Sequence, residues 1–371
     1  MLLHDGDIVN GTLDGNLYLS GRGNALLSAD DLRRMSWGLV QKGIRKVRGG
    51  IISDASYFDT TGLERTRKGA GHAPSGALGL DLHTVAVTVA PSQAGKPPKV
   101  TVEPTNEAVK LAVSSTTIAK GKGSIKITQI DDTSCRVTGN IPADGGPMKQ
   151  RFPLADPARY AAGTLRMILR QEGIAVEGGV RSGKAPADAN LLAEIPGPPL
   201  KEILGRMNTN SLNVVADNLL LALGAEKYGA PGTLEKGVRA VTEFLQSLDL
   251  PMDEVKIADG SGLSGENRVT ARFMAEYLQR VSRKPWFRDF YESLPRAGLD
   301  GTLKDIGYTN ERFRVKSGRL EDVYSLAGYG VDAKGREIAF AFIVNTPGAS
   351  AMNLEQTGAD VMRYLASEAL P

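Results

Sequence analysis

The chain has 371 residues, 41% of them hydrophobic and 23% charged, with a formal net charge of +3. That length predicts two or three domains rather than one core, and the near-average composition predicts a folded chain. The mild charge, with basic residues in short runs such as Arg33-Arg34 and Arg65 to Lys68, excludes nucleic acid as a partner, while one cysteine excludes an internal disulfide.

In chain order, Thr12 to Leu19 alternates as a half-buried strand. A helix is expected next, with Ser28 as cap, Asp31 completing a capping box, an apolar face of Leu32, Met35, Leu39 and Val40, and Gly43 as the stop. Gly49 to Ile52 reads as a return strand. From about 81 to 145 the texture becomes Val, Thr and Ile in alternation, in Val85 to Val89, Val109 to Val113, Ser124 to Ile127 and Thr133 to Thr138, which predicts a small β-rich module. Buried packing is the expected role of Cys135 within it. A helix with Asp156 as cap, Pro157 in the first turn and Gly173 as terminator follows.

Three prolines and a glycine in Ile195-Pro196-Gly197-Pro198-Pro199 are the strongest linker signal, placing a domain boundary between residues 1–195 and 196–371. Beyond it, helices are expected around Leu200 to Tyr228, Leu234 to Leu248, Thr270 to Ser282 and Asn353 to Ala366. Strands are expected at Arg312 to Ser317, Val323 to Gly330 and Arg336 to Asn345, with a hairpin turn at Asp332 to Gly335. Helices followed by an antiparallel meander give an α+β class.

Two short motifs carry the chemistry. Ser211-Leu212-Asn213 is an S-x-N at the start of an apolar helical run, and Lys316-Ser317-Gly318 is a K-[T/S]-G on a strand. Taken alone, the first is equally a capped, polar helix start. Ser261 and Ser264, in the glycine-rich Asp259-Gly260-Ser261-Gly262-Leu263-Ser264, are turn formers or substitute nucleophiles. Arg319 is either an exposed strand-end residue or a planar fork for a carboxylate or phosphate. No serine is followed three positions later by lysine, so the S-x-x-K that accompanies such motifs in serine acyltransferases is absent from these residues. The scattered His4, His72 and His83 match no zinc-ligand spacing, and no cofactor is called for.

With Asn267 to Thr270, Ser293-Leu294-Pro295, Ala297-Gly298, Asp300 to Leu303 and Ser325 to Tyr329 in the same order, these motifs resemble the D-alanyl-D-alanine carboxypeptidase/endopeptidase family, peptidase family S13, the class C low-molecular-mass penicillin-binding proteins. Gly15 to Leu19, Ala73-Pro74-Ser75, Ala77-Leu78 and the Thr/Val-rich module extend the resemblance over nearly the whole chain. It implies a partial β-lactamase/transpeptidase-like domain, an antiparallel sheet flanked by helices at 196–371, plus accessory domains at 1–195 that include the β-rich module. The chain would start just after the family's S-x-x-K helix. The resemblance further implies that Ser211 relays a proton to the leaving amine and Asn213 bonds the substrate amide. Lys316 would then help hold the substrate carboxylate, and the backbone around Gly318 and Arg319 would line half of an oxyanion hole, whose donors are commonly worth about 2.7–4 kcal/mol each. Ser317 stands for the family's commoner threonine, and Arg319 for a small hydroxyl residue that touches the carboxylate.

Three functions follow from this reading: a serine-type carboxypeptidase acting on peptidoglycan peptides but lacking its own nucleophile motif, an ester or phosphoester hydrolase using Ser211, Lys316 and Arg319, or a non-catalytic binder of peptidoglycan-like peptides. No stretch is apolar enough to span a bilayer, and Met1 to Asp7 has no export-signal pattern, so a soluble, cytoplasmic chain is expected of a family exported to the cell envelope. An open sheet edge left by the missing helix and strands predicts homodimerisation or higher self-association.

Overall fold

The capping box expected at Ser28 is formed. Ser28 Oγ accepts from Asp31 N–H at 3.2 Å, the Asp31 carboxylate accepts from Ser28 N–H at 2.9 Å, and helix α1 runs Ala29–Gln41. Helix α2, Pro157–Gln171, likewise begins on Asp156, whose carboxylate accepts from Arg159 N–H at 2.9 Å. Both lie in the first of two units of the computed structural model, which describes residues 1–63, 72–104, 109–131, 134–346 and 351–368. The Arg65 to Lys68 run and Thr133 lie outside the described residues. The first unit comprises Met1–Thr60, Gly69–Gly197 and Gly229–Thr233, the second Thr61–Lys68, Pro198–Tyr228 and Leu234–Pro371.

In the first unit, five strands line up in the order Val180–Ser182, Ile51–Asp54, Leu17–Ser20, Leu2–His4 and Asn190–Ala193. The expected single strand at Thr12 to Leu19 is two strands, Thr12–Asp14 and Leu17–Ser20, in different sheets. The Asp5 carboxylate accepts from both the backbone and side-chain N–H groups of Asn16, fixing the turn between them. The β-rich region forms two three-stranded sheets. One pairs Lys126–Asp131, Ser134–Pro142 and Lys110–Ile118, and the other pairs Met148–Pro153, Thr84–Ala90 and Lys99–Glu103. The strand Met148–Pro153 carries the region past residue 145, because its antiparallel partner Thr84–Ala90 opens it. Cys135 is buried and reduced.

The second unit is α+β. Its sheet is an antiparallel meander of Arg296–Ala297, Asn310–Arg319, Val323–Val331 and Glu337–Asn345. The last hairpin closes at Asp332, whose Oδ1 accepts from the Lys334 and Arg336 N–H groups at 2.9 Å each. Side chains alternate across the strands. Phe313, Val315, Tyr324, Leu326 and Phe340 bury one face with Met362 of the C-terminal helix. On the other face, Tyr329 packs with Leu278 and Leu294.

The described helices of this unit are α3 (Leu200–Asn210), α4 (Asn213–Tyr228), α5 (Leu234–Gln246), α6 (Ala271–Val281), α7 (Phe287–Ser293) and α8 (Ala351–Ser367). The helical stretch expected around Leu200 to Tyr228 is two helices, and the second starts where the Ser211-Leu212-Asn213 motif was read as the start of an apolar helical run. Ser211 takes left-handed angles, φ 53° and ψ 52°, and Leu212 N–H closes back on the Met207 carbonyl at 3.0 Å. Helix α7, unforeseen in the sequence, is anchored by aromatic contacts. Phe287 and Tyr291 meet the Tyr329 ring with centroids 5.1 and 5.7 Å apart.

Candidate active site

The break between α3 and α4 places Ser211 at a helix junction and Asn213 at the first residue of α4. The Asn310–Arg319 strand brings Lys316 to them. Lys316 Nζ donates to Ser211 Oγ at 3.0 Å and to the Ser317 carbonyl at 2.7 Å. Among the described residues no carboxylate pairs with Lys316, and burial lowers its pKa below the ordinary 10.5. An amine so placed is a donor to an anion when protonated and a base when neutral.

A cavity of about 660 Å³ opens around this pair. Ser211, Asn213, Ser261, Lys316, Ser317, Gly318 and Arg319 all line it, so seven of the eight residues singled out in the sequence meet in one place. Ser264 does not. It is 1% exposed, its N–H donates to Asp259 Oδ2 at 2.6 Å, and its Oγ accepts from Glu266 N–H, so it builds the loop and offers no hydroxyl to the cavity. Ser261 lines the cavity without a base at good distance, since Asp259 Oδ2 lies 3.4 Å from its Oγ.

Strand parity decides which backbone groups face the cavity. Val315 N–H points away from the Val323–Val331 strand, donating to the Pro295 carbonyl at 3.0 Å. Two-residue alternation then turns the Ser317 and Arg319 N–H groups to the same edge, beyond the reach of Arg296–Ala297, which pairs only at Arg314 and Asn310. Those two donors stand beside Lys316 on the edge that lines the cavity. A Cβ at Gly318 would come 2.6 Å from Ser325 Oγ, so a side chain there would have to turn that hydroxyl aside.

The Arg319 guanidinium is already engaged. It pairs with Glu355 of α8 at 2.9 Å, both side chains about half exposed. Such a pair is weak and open to exchange for a ligand carboxylate.

Sequence reasoning missed the residues that shape the cavity. Met274, Tyr277, Leu278, Phe290 and Leu294 form an apolar wall from α6 and α7. Asp217, fully buried on α4, accepts from the Gly260 and Ser261 N–H groups at 2.9 Å each and holds the glycine-rich loop against the helix. Gly260 tolerates that approach, as a Cβ would lie 2.5 Å from the Ala216 carbonyl. Asp259 is the loop's own hub, accepting from Gly262, Ser264 and Asn267. Asn208 donates to Ser293 Oγ at 2.8 Å, tying α3 to α7. The Asp-Gly-Ser-Gly string marked a loop, but nothing local marked Asp217 as its partner 43 residues away.

A profile of the D-Ala-D-Ala carboxypeptidase 3 (S13) family matches residues 1–366. The chain belongs to this family. The S13 chain is 31% identical over 354 residues to the D-alanyl-D-alanine carboxypeptidase of Actinomadura sp. (strain R39), covering 89% of itself and 65% of that protein. It is 28% identical to D-alanyl-D-alanine carboxypeptidase DacB of Haemophilus influenzae, covering 93% of itself and 74% of the relative. The chain thus spans about two thirds to three quarters of these curated relatives. Its structure is similar to the crystal structure of penicillin-binding protein 4 (dacB) from Haemophilus influenzae, with a TM-score of 0.83 and 26% identity over 99% of this chain and 85% of that one. The same protein complexed with a β-lactam matches with a TM-score of 0.79. No described helix is long and apolar enough to cross a membrane, and no described group of histidine, cysteine and carboxylate side chains is arranged to hold a metal ion.

Proposed function

We propose that the S13 chain binds peptidoglycan-type peptides ending in D-Ala-D-Ala, with the peptide terminus in the cavity between α4, the glycine-rich loop and the Asn310–Arg319 strand. The half-buried Lys316 and its contact with Ser211 support this reading most directly. A protonated amine with no carboxylate partner among the described residues, flanked by a strand edge with two N–H donors, has the charge and geometry to take a terminal carboxylate. Asn213 is set at the cavity wall for the peptide amide, and the apolar wall of Met274, Leu278 and Phe290 suits alanine methyl groups.

Membership of the family supports D-Ala-D-Ala as the substrate class and the cell envelope as the place where it is met. Serine-type carboxypeptidase chemistry would follow in a chain with an S-x-x-K serine. No S-x-x-K serine lies within these 371 residues.

Titration calorimetry with acetyl-Lys-D-Ala-D-Ala and with its L-Ala-L-Ala isomer tests the reading. The D,D peptide should bind and the isomer should not, and Lys316→Met should weaken binding about tenfold to a hundredfold, as loss of a charge-assisted hydrogen bond does. Equal binding of both isomers, or no change in the variant, would sink it.

A further inference from the structure

We propose that Glu355 of α8 is an internal competitor for the ligand carboxylate: it holds the Arg319 guanidinium off the cavity, and a bound carboxylate takes Arg319 from it while the Tyr324 hydroxyl receives the displaced Glu355. This deepens the function proposed above and rests on that reading, since it says what regulates anion binding at the same cavity. Strand alternation gives Arg319 two surroundings. Its N–H stands at the cavity edge, while its side chain falls on the face of Phe313 and Val315, which pack with Met362 of α8, and so on the face opposite Lys316. There the guanidinium donates to Glu355 at 2.9 Å, with both side chains about half exposed. Arg319 is also the last residue of its strand and lines the cavity, so the guanidinium, once released by α8, has an open edge to swing across. An exposed pair of this kind is weak, and a ligand carboxylate competes with Glu355 on near-equal terms.

Exchange strands Glu355 unless another donor meets it, and Tyr324 is placed to do so. It is the cross-strand partner of Arg319, it is 2% exposed, and its hydroxyl has no hydrogen-bond partner among the described residues. The hydroxyl abuts α8 at Gly358, where a Cβ would come 2.8 Å from its oxygen. Gly358 lies three residues after Glu355, which puts the two on one face of the helix. Burial, and after it the Glu355 charge, pushes the phenol up to about 12, so it remains a donor at neutral pH. A buried donor left unmet is costly, and meeting it on release of Glu355 lowers the cost of the exchange. The C-terminal helix thereby sets the affinity of the cavity for anions.

Calorimetry on the full chain with acetyl-Lys-D-Ala-D-Ala and with its C-terminal amide is one half of the test. Glu355→Gln should tighten binding of the carboxylate peptide about twofold to fivefold, the range that loss of an exposed ion pair spans, and leave the affinity for the amide unchanged. Added to Arg319→Gln, the same substitution should give no gain. The other half needs no peptide. In a chain labelled with carbon-13 at the tyrosine ring carbon that bears the hydroxyl, sodium acetate should move the Tyr324 resonance, which is identified by its loss in Tyr324→Phe. Acetate should leave that resonance in place in Glu355→Gln and in Arg319→Gln. An unchanged affinity for the carboxylate peptide in Glu355→Gln, or a wild-type Tyr324 resonance that acetate does not move, overturns the proposal even though the D,D peptide binds. If neither peptide binds while acetate moves the resonance only in the presence of Glu355 and Arg319, the exchange stands and the D,D peptide is discarded as its ligand.

Discussion

Lys316 carries the tension between stability and function at a single residue. Burial without a carboxylate disfavours its charged form, so the unfolded chain binds the proton more tightly than the folded one. The sign then follows. Stability rises with pH between the lowered folded pKa and the unfolded value near 10.5, and the part that depends on neutral Lys316 is lost as pH falls through the folded pKa. Lys316→Met should therefore be more stable than the wild type at pH 7, by about 1 kcal/mol, and should flatten the alkaline part of the stability–pH curve while weakening D,D-peptide binding about tenfold to a hundredfold. Urea unfolding at several pH values checks both. Ser211 carries a second local cost. A left-handed non-glycine residue costs about 1–2 kcal/mol, so Ser211→Gly should unfold later than Ser211→Ala by about 1 kcal/mol. Equal midpoints for the two variants would show the junction to be unstrained.

At the scale of elements, the glycine-rich loop and α4 act as one piece because Asp217 serves both. Replacing it by alanine leaves the part-buried Gly260 and Ser261 N–H groups without their acceptor. The expected loss is about 2–4 kcal/mol, with Ser261 displaced from the cavity. Asp217→Asn keeps one acceptor oxygen and should recover part of the stability. Thermal unfolding together with D,D-peptide affinity separates a folding effect from a site effect. By contrast, Ser28→Ala should cost about 1 kcal/mol through the lost cap of α1 and leave affinity untouched. A change in affinity there would show the cavity to depend on distant helix stability.

For the molecule as a whole, the Glu337–Asn345 strand pairs on one side only among the described residues, with Val323–Val331. An unpaired edge in an antiparallel sheet is a template for another strand. Self-association is the expected outcome, seen as a concentration-dependent mass in sedimentation equilibrium at micromolar chain. Ala341→Pro, which removes an N–H and stiffens the strand, should shift the population toward monomer. A strictly monomeric wild type would refute the edge as an association surface.

Local signals were enough for the elements whose rules are local. Ser28 with Asp31, Asp156 with Pro157 and the Asp332 to Gly335 turn formed as read, since caps and turns satisfy backbone groups within a few residues. The alternating runs gave the meander, and the ordered motifs from Ser211 to Tyr329 gave the family that the profile match bears out. Other features had no local signature. Ser211 takes its left-handed turn without the glycine that usually marks one, and α7 has too short an apolar period to declare itself. The Asp217 anchor and the apolar wall of the cavity depend on partners far along the chain. By itself, then, the sequence determined which side chains could do chemistry and the family to which they belong. Only the tertiary structure decided that Ser211 meets the half-buried Lys316 while Ser264 is closed into a loop. Proximity across 105 residues and the loss of water around an amine are properties of packing, and no local pattern encodes them.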